Sequence, residues 1–139
     1  MKLIPNLKLC DLDGEPIMTP NVRAQRALIK AAADEKRQIT QYEVDSLVEN
    51  LTVALCVYNS LYGTHKEDEH QTAEEKVQRF DVGLRFYQAR NSAEPIEMTK
   101  DEISLISKYV SKSYNVMISG TMKQILEGVI PDYFQVTKG

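Results

Sequence analysis

The chain has 139 residues, of which 42% are hydrophobic, and it carries 17 basic and 20 acidic side chains. This length predicts one domain, residues 1–139, and the ordinary composition argues against a chain that is disordered throughout. The net charge of −3 argues against a general nucleic-acid coat and leaves open a local basic patch.

The cysteines and the N-terminal segment bear on the cellular compartment. Cys10 and Cys56 lie outside any Cys-x-x-Cys pattern, which favours free thiols in a reducing, cytoplasmic setting over a disulfide between them. The N-terminal residues lack the apolar region of a signal peptide, and the weakly charged stretch 51–63 is too short to span a bilayer. We therefore expect neither secretion nor membrane insertion.

Residues 7–18 predict a short β-hairpin. Asp13-Gly14 favours its tight turn because glycine readily adopts positive φ, and Pro16 restricts the second strand to a sheet edge. Asp11 and Asp13 are also a carboxylate pair of the kind used in acid–base chemistry. The nearby sequence offers them no histidine or other partner, so we assign both to the turn.

A first helix is predicted from Val22 to about residue 37. Its cations Arg23, Arg26, Lys30 and Arg37 fall within an arc of roughly 60° at about 100° per residue, provided that the helix reaches Arg37. This basic stripe (Arg23, Arg26, Lys30 and Arg37) fits phosphates or an acidic partner surface. The commoner meaning of such a pattern is the solvated side of an amphipathic helix.

The next predicted helix is long and apolar on too many sides. Thr40 and Glu43 form a capping box at its start, and Gly63 is placed to end it in a left-handed conformation. Such a helix is either the centre of the core or a subunit interface. The interface candidates on it are Leu51, Leu55, Val57, Tyr58 and Tyr62.

The second half of the chain predicts further helices. Thr72 and Thr99 each stand three residues before a glutamate, which is the capping-box spacing. In the first of these helices Phe80 and Tyr87 share an apolar face and are predicted to lie in the core, whereas Phe86 falls off that face and is a candidate for interface contact. An interruption at residues 119–121 separates a last short helix that ends at Gly128.

Together these segments predict a mainly α fold. A short N-terminal β-hairpin (7–18) precedes a bundle of four to five helices (22–128), and a C-terminal tail (129–139) packs over the domain or onto a partner.

No motif of a known catalytic or phosphate-binding type occurs in the chain. His65 and His70 bracket an acidic segment and are formally able to meet a zinc ion, but their spacing and the lack of a nearby cysteine favour a solvated loop. We predict no catalytic residue, no metal site and no cofactor.

Several segments resemble small proteins encoded by tailed phages and prophages. These segments are Leu12-Asp13-Gly14-Glu15-Pro16, Glu74-Glu75-Lys76 with Arg79-Phe80, Met98 to Ile103 with Leu105-Ile106, and Gly120 to Gly128. The resemblance implies a viral or prophage origin, hence the host cytoplasm, and no specific function.

Three functions remain as hypotheses. The first is a non-enzymatic phage-type protein that acts by protein–protein interaction, as a homo-oligomer, with a phage or host protein as a further partner. The alternative is a nucleic-acid-binding regulator that uses the basic stripe. An enzyme or small-ligand binder would need a pocket with convergent polar groups, which the sequence does not indicate.

Overall fold

Five α-helices of ten or more residues dominate residues 1–134, the part of the chain that the structure, a computed structural model, describes. The prediction of a mainly α fold with a bundle of four to five helices is confirmed. The elements are α1 (Val22–Asp34), α2 (Gln41–Asp45, one short turn), α3 (Val53–Tyr62), a 3-10 helix (Lys66–His70), α4 (Ala73–Gln88), α5 (Lys100–Ser113) and α6 (Val116–Leu126).

Short strands pair across long distances in the sequence. Strand β1 (Lys2–Ile4) is antiparallel to β4 (Ile96–Met98), with Ile4 opposite Ile96. Strand β2 (Met18–Pro20) is antiparallel to β3 (Val48–Asn50), with Thr19 opposite Glu49. The two ribbons bring the N-terminal residues onto the helical bundle.

The predicted N-terminal hairpin is present in a minimal form. One antiparallel bridge joins Cys10 and Pro16, and Gly14 has the expected positive φ of 82°. The Asp11 carboxylate accepts hydrogen bonds from the backbone N–H groups of Asp13 (2.9 Å) and Glu15 (3.0 Å). The assignment of Asp11 to the turn is therefore confirmed, since its side chain satisfies the backbone of that turn.

The single long helix predicted over residues 41–62 is wrong. The Thr40–Glu43 capping box is present, but α2 ends at Asp45 and the chain then enters β3. A second cap restarts the helix, because the Thr52 hydroxyl accepts a hydrogen bond from the Leu55 N–H at 3.2 Å. Residues 48–50 fit the helical sequence pattern, but they form a strand because they pair with β2. Gly63 ends α3 in an extended conformation (φ −67°), not the predicted left-handed one.

Helix α3 occupies the centre of the core and packs against α4 and α5. Its apolar side chains point to several sides and are almost fully buried: Val53, Ala54, Cys56, Val57 and Leu61 are each at most 1% exposed. Burial of a large apolar side chain contributes about 1.5–3 kcal/mol. The apolar surplus that predicted a subunit interface is thus largely covered within one chain.

The predicted roles of the two phenylalanines of α4 are reversed. Phe86 is fully buried, whereas Phe80 is 56% exposed. The reason is that α4 turns Val82, Gly83 and Phe86 toward the core, and Gly83 lets α3 approach closely.

The C-terminal helices divide earlier in the chain than the periodicity predicts. Helix α5 ends at Ser113, and the Asn115 side chain caps α6 by accepting from the Ile118 N–H at 2.9 Å. Helix α6 then passes through Gly120, so the predicted interruption at 119–121 is wrong. Gly128 has a left-handed φ of 91°, as its position after a helix favours. Pro131 and Phe134 are buried, so the first part of the predicted tail packs on the domain; residues 135–139 lie outside the described residues.

Candidate binding cleft

Helix α1 stands largely exposed at one side of the molecule. Ala32 is its one buried residue. The Asn21 side chain caps the helix by accepting from the Ala24 N–H, and the Gln25 amide donates to the carbonyls of Val44 (3.1 Å) and Leu47 (3.4 Å). Hydrogen bonds, more than apolar packing, therefore hold α1 in place.

The predicted basic stripe is shorter than expected. Arg23, Arg26 and Lys30 are exposed on α1, but the helix ends at Asp34 and Lys36 adopts a left-handed φ of 54°. Arg37 consequently lies beyond the end of the helix, outside the stripe. Its guanidinium lies 3.7 Å from carboxylate oxygens of Glu35 and Glu43. The stripe comprises Arg23, Arg26 and Lys30 only. Within residues 1–134 these three cations form no ion pair.

Four aromatic rings form a continuous row between α3 and α4. We call Tyr87, Tyr58, Tyr62 and Phe80 the aromatic ladder. Tyr58 lies 4.6 Å from Tyr87 and 4.8 Å from Tyr62 between ring centroids, and Tyr62 stacks on Phe80 at 5.7 Å. The Arg90 guanidinium lies 3.9 Å from the centroid of Tyr87. Such contacts hold large side chains in fixed positions at a partly exposed surface.

The exposed helix and the aromatic ladder border one open cleft of about 770 Å³. Arg23 and Arg26 line it from α1, while Tyr58 and Tyr62 line it from α3. Tyr87 and Arg90 line it from the end of α4 and the residues beyond. Glu49 of β3 is the one carboxylate among the lining residues of the described chain. We call this space the α1 cleft.

The predicted interface residues divide into two groups. Leu51 and Val57 are 2% and 0% exposed and lie in the core, where they cannot contact a partner. Leu55, Tyr58 and Tyr62 line the α1 cleft. The structure thus places part of the predicted interface set beside Arg23 and Arg26 of the predicted basic stripe.

One tyrosine of the α1 cleft is hydrogen-bonded to the backbone of α4 through its hydroxyl. The Tyr62 hydroxyl donates to the Phe80 carbonyl at 2.9 Å. Burial raises the pKa of Tyr62, and the nearby Tyr58 and Asp81 act in the same direction. The hydrogen bond to Phe80 holds the Tyr62 ring against α4.

A second polar cluster fastens the segment after α3. The Arg79 guanidinium, which is buried, donates to the carbonyls of Leu61 (3.0 Å) and Gly63 (2.9 Å), to Asp68 (2.8 Å) and to Gln71 (2.7 Å). It also lies 4.4 Å from the ring centroid of Tyr109. Because the Arg79 guanidinium donates to groups of the chain itself, this Arg79 cluster stabilises the segment after α3 and leaves few hydrogen-bond donors for a ligand.

The two histidines belong to the same segment. The His65 Nε2 atom lies 2.9 Å from the Ser60 carbonyl oxygen, and its ring packs on Tyr109. Within residues 1–134 no group of three or more His, Cys, Asp or Glu side chains is arranged to hold a metal ion.

Comparisons with protein-family models, with curated proteins and with solved structures find no match to this chain. In the described part of the chain, no helix has both the length and the apolar character required to cross a membrane.

Proposed function

We propose that this protein is a non-enzymatic interaction module that binds a protein partner in the α1 cleft. The observation that carries the proposal is the aromatic ladder, because three of its rings line an open cleft that two arginines border from the opposing helix. Tyrosine and arginine, together with tryptophan, are enriched among the residues that dominate binding energy at protein interfaces.

The burial pattern also supports binding in this place. Tyr62 is 39% exposed and Val22, at the start of α1, is 48% exposed. Burial of either side chain against a partner would be favourable, because both are large and apolar. Rigid aromatic side chains lose little conformational entropy on binding, so a preformed ladder adds affinity at low cost.

The residue types in the cleft favour binding over catalysis. The lining residues in the described chain include no histidine and no cysteine, and the tyrosine whose pKa departs from its ordinary value departs upward. A general base or an activated nucleophile would need the opposite shift.

Selection from a displayed library of random linear peptides tests the proposal. Val22→Trp should fill the mouth of the cleft and abolish binding of the selected peptides. Ile29→Trp is the matched control, because Ile29 is similarly exposed (50%) on the same helix and lies outside the cleft. If no selected peptide distinguishes the two variants, the cleft is not a protein-binding site.

Nucleic-acid binding is the second candidate, and it is favoured by Arg23, Arg26 and Lys30, which form no ion pair within residues 1–134. The aromatic ladder does not favour it, because each cleft tyrosine already contacts two other rings or a ring and a guanidinium, which leaves little free face for a base. Fluorescence anisotropy with single-stranded oligothymidylate decides this point: binding that weakens steeply with salt supports it, and no binding at low salt ends it.

Self-association remains part of the proposal in a reduced form. Leu55, Tyr58 and Tyr62 of the predicted interface face the cleft, so a second copy of the chain is one alternative occupant. Light scattering at high micromolar concentration tests this, and a strict monomer would contradict it. Three further predictions stay open: a phage or prophage origin, a phage or host partner, and the cytoplasm of the host cell as the compartment. The two free, buried cysteines are consistent with a reducing compartment.

A further inference from the structure

The cations of the α1 cleft point to a particular chemistry of the partner. Arg23 and Arg26 are three residues apart on α1, so their side chains are neighbours on the helix surface. Within residues 1–134 neither forms an ion pair, although carboxylates are more numerous than cations in the sequence. Two adjacent unpaired guanidinium groups repel each other and favour an anionic ligand.

Arg90 adds a third cation from another element. Its Nη1 donates to the Tyr87 carbonyl at 2.7 Å while the guanidinium lies over the Tyr87 ring. This arrangement fixes the side chain within the cleft, and the remaining guanidinium N–H groups are donors for a carboxylate. Glu49 offsets at most one of the three positive charges that line the cleft.

The anion is better supplied by carboxylates than by a phosphate backbone. Tyr58 lies between Tyr62 and Tyr87, and Tyr87 lies between Tyr58 and Arg90. Tyr58 meets its two neighbouring rings at tilts of 52° and 44°, which leaves little free face for successive bases. The ring edges and the half-buried Leu55 beside them can still pack on an aliphatic side chain.

We infer that the occupant of the α1 cleft is an acidic peptide segment of a partner protein, whose carboxylates meet Arg23, Arg26 and Arg90 while an apolar side chain packs on Leu55 and Tyr58. This inference rests on the proposed function and specifies its partner by charge. It requires Lys30, which shares the exposed stripe but not the cleft, to be dispensable.

The experiment sequences the peptides selected on the wild-type protein and measures their affinities for charge variants. Acidic residues should be enriched, and Arg23→Glu with Arg26→Glu should weaken binding about tenfold or more. Lys30→Glu, the matched control, should leave the affinity unchanged. A peptide in which the acidic residues are replaced by lysine should regain binding to the doubly reversed variant, and circular dichroism should show that each variant is folded.

The other outcomes separate the two proposals. Peptides that are blocked by Val22→Trp but carry no acidic excess would overturn the acidic partner and leave the binding cleft intact. Absence of any peptide sensitive to Val22→Trp would overturn the binding cleft itself. Oligothymidylate binding that Lys30→Glu weakens as much as the double reversal would replace both with the nucleic-acid alternative.

Discussion

The ring of Tyr62 lies directly over Gly83, at the point where α3 and α4 are closest. A Cβ atom placed on Gly83 would be 2.8 Å from Cδ1 of Tyr62, which is closer than carbon atoms tolerate. Tyr62 cannot easily retreat, since it contacts Tyr58 and Phe80 and donates to the Phe80 carbonyl. The glycine thus joins core packing to the aromatic ladder of the α1 cleft.

Gly83→Ala is therefore expected to destabilise the protein, although alanine is the better helix former. Overpacking of this kind costs about 1–3 kcal/mol, against a gain of up to about 1 kcal/mol from helix propensity. Urea denaturation measures the difference. Gly120→Ala is the control, because Gly120 lies within α6 and nothing is within 4 Å of an added Cβ. That variant should be stabilised by roughly 0.5–1 kcal/mol. Equal stabilisation of both would show that Tyr62 moves aside freely.

Loss of the Arg79 guanidinium should loosen the segment that follows α3. Arg79→Met keeps the apolar stem but removes the side-chain donor to the Leu61 and Gly63 carbonyls, and it leaves Asp68 with the His65 backbone N–H as a donor. We expect a loss of about 2–4 kcal/mol in the free energy of unfolding.

Arg85→Met is the matched control for Arg79→Met, since Arg85 lies on the same helix and pairs with Glu102, but its side chain is 44% exposed. An exposed ion pair contributes less than about 1 kcal/mol. Similar losses in the two variants, measured by chemical denaturation, would contradict a special role for the Arg79 cluster.

Acid should weaken the same cluster through Asp68. A hydrogen bond from the His65 backbone N–H, followed by the hydrogen bond and charge of Arg79, lowers the pKa of Asp68 below its ordinary value of 3.8, against an opposing contribution from desolvation. The folded state then binds fewer protons than the unfolded state near that pH, so the stabilisation is complete above the ordinary pKa and is lost as pH falls through the lowered one.

Asp68→Asn should therefore flatten part of the decline in the free energy of unfolding on acidification. Part of the decline should persist in that variant because the pKa of Glu102 is also lowered: desolvation opposes the shift, but hydrogen bonds with Arg85 and the Thr99 backbone outweigh it. A backbone hydrogen bond and Lys112 likewise lower the pKa of Glu67. Denaturation curves collected from neutral to acidic pH test this, and superimposable profiles for the variant and the wild type would refute it.

Local signals in the sequence predicted the starts of α1, α2, α4 and α5, but not those of α3 and α6. The Thr40–Glu43 and Thr99–Glu102 capping boxes are both present, because they depend on atoms three residues apart. Strand β3 could not be found in this way, since residues 48–50 fit a helical pattern and leave it only through pairing with residues about thirty positions earlier.

The cleft was predictable only in fragments. Leu55, Tyr58 and Tyr62 and the cations of α1 were identified separately, by periodicity and by charge. Their convergence depends on how the β2–β3 ribbon carries α1 past α3, for which a single sequence gives no signal. The same holds for Arg90, whose contact with Tyr87 acquires meaning only beside the other cleft residues. Phe80 and Phe86 exchanged roles because the face of α4 that packs is set by Gly83, not by the longest apolar row.

The weak attachment of α1 should be measurable by hydrogen exchange. With Ala32 as its one buried residue, α1 should exchange its amide hydrogens faster than α3, whose side chains form the core. Gln25→Ala removes the hydrogen bonds to the Val44 and Leu47 carbonyls, and the loss of about 1 kcal/mol should speed exchange in α1 about fivefold. Lys30→Ala, on the exposed face of the same helix, is the control and should change little.

Because α1 forms one wall of the cleft, a bound peptide should slow this exchange in the wild type. Protection of α1 equal to that of α3 before any peptide is added would mean that the wall is rigid, and that binding needs no ordering of this helix.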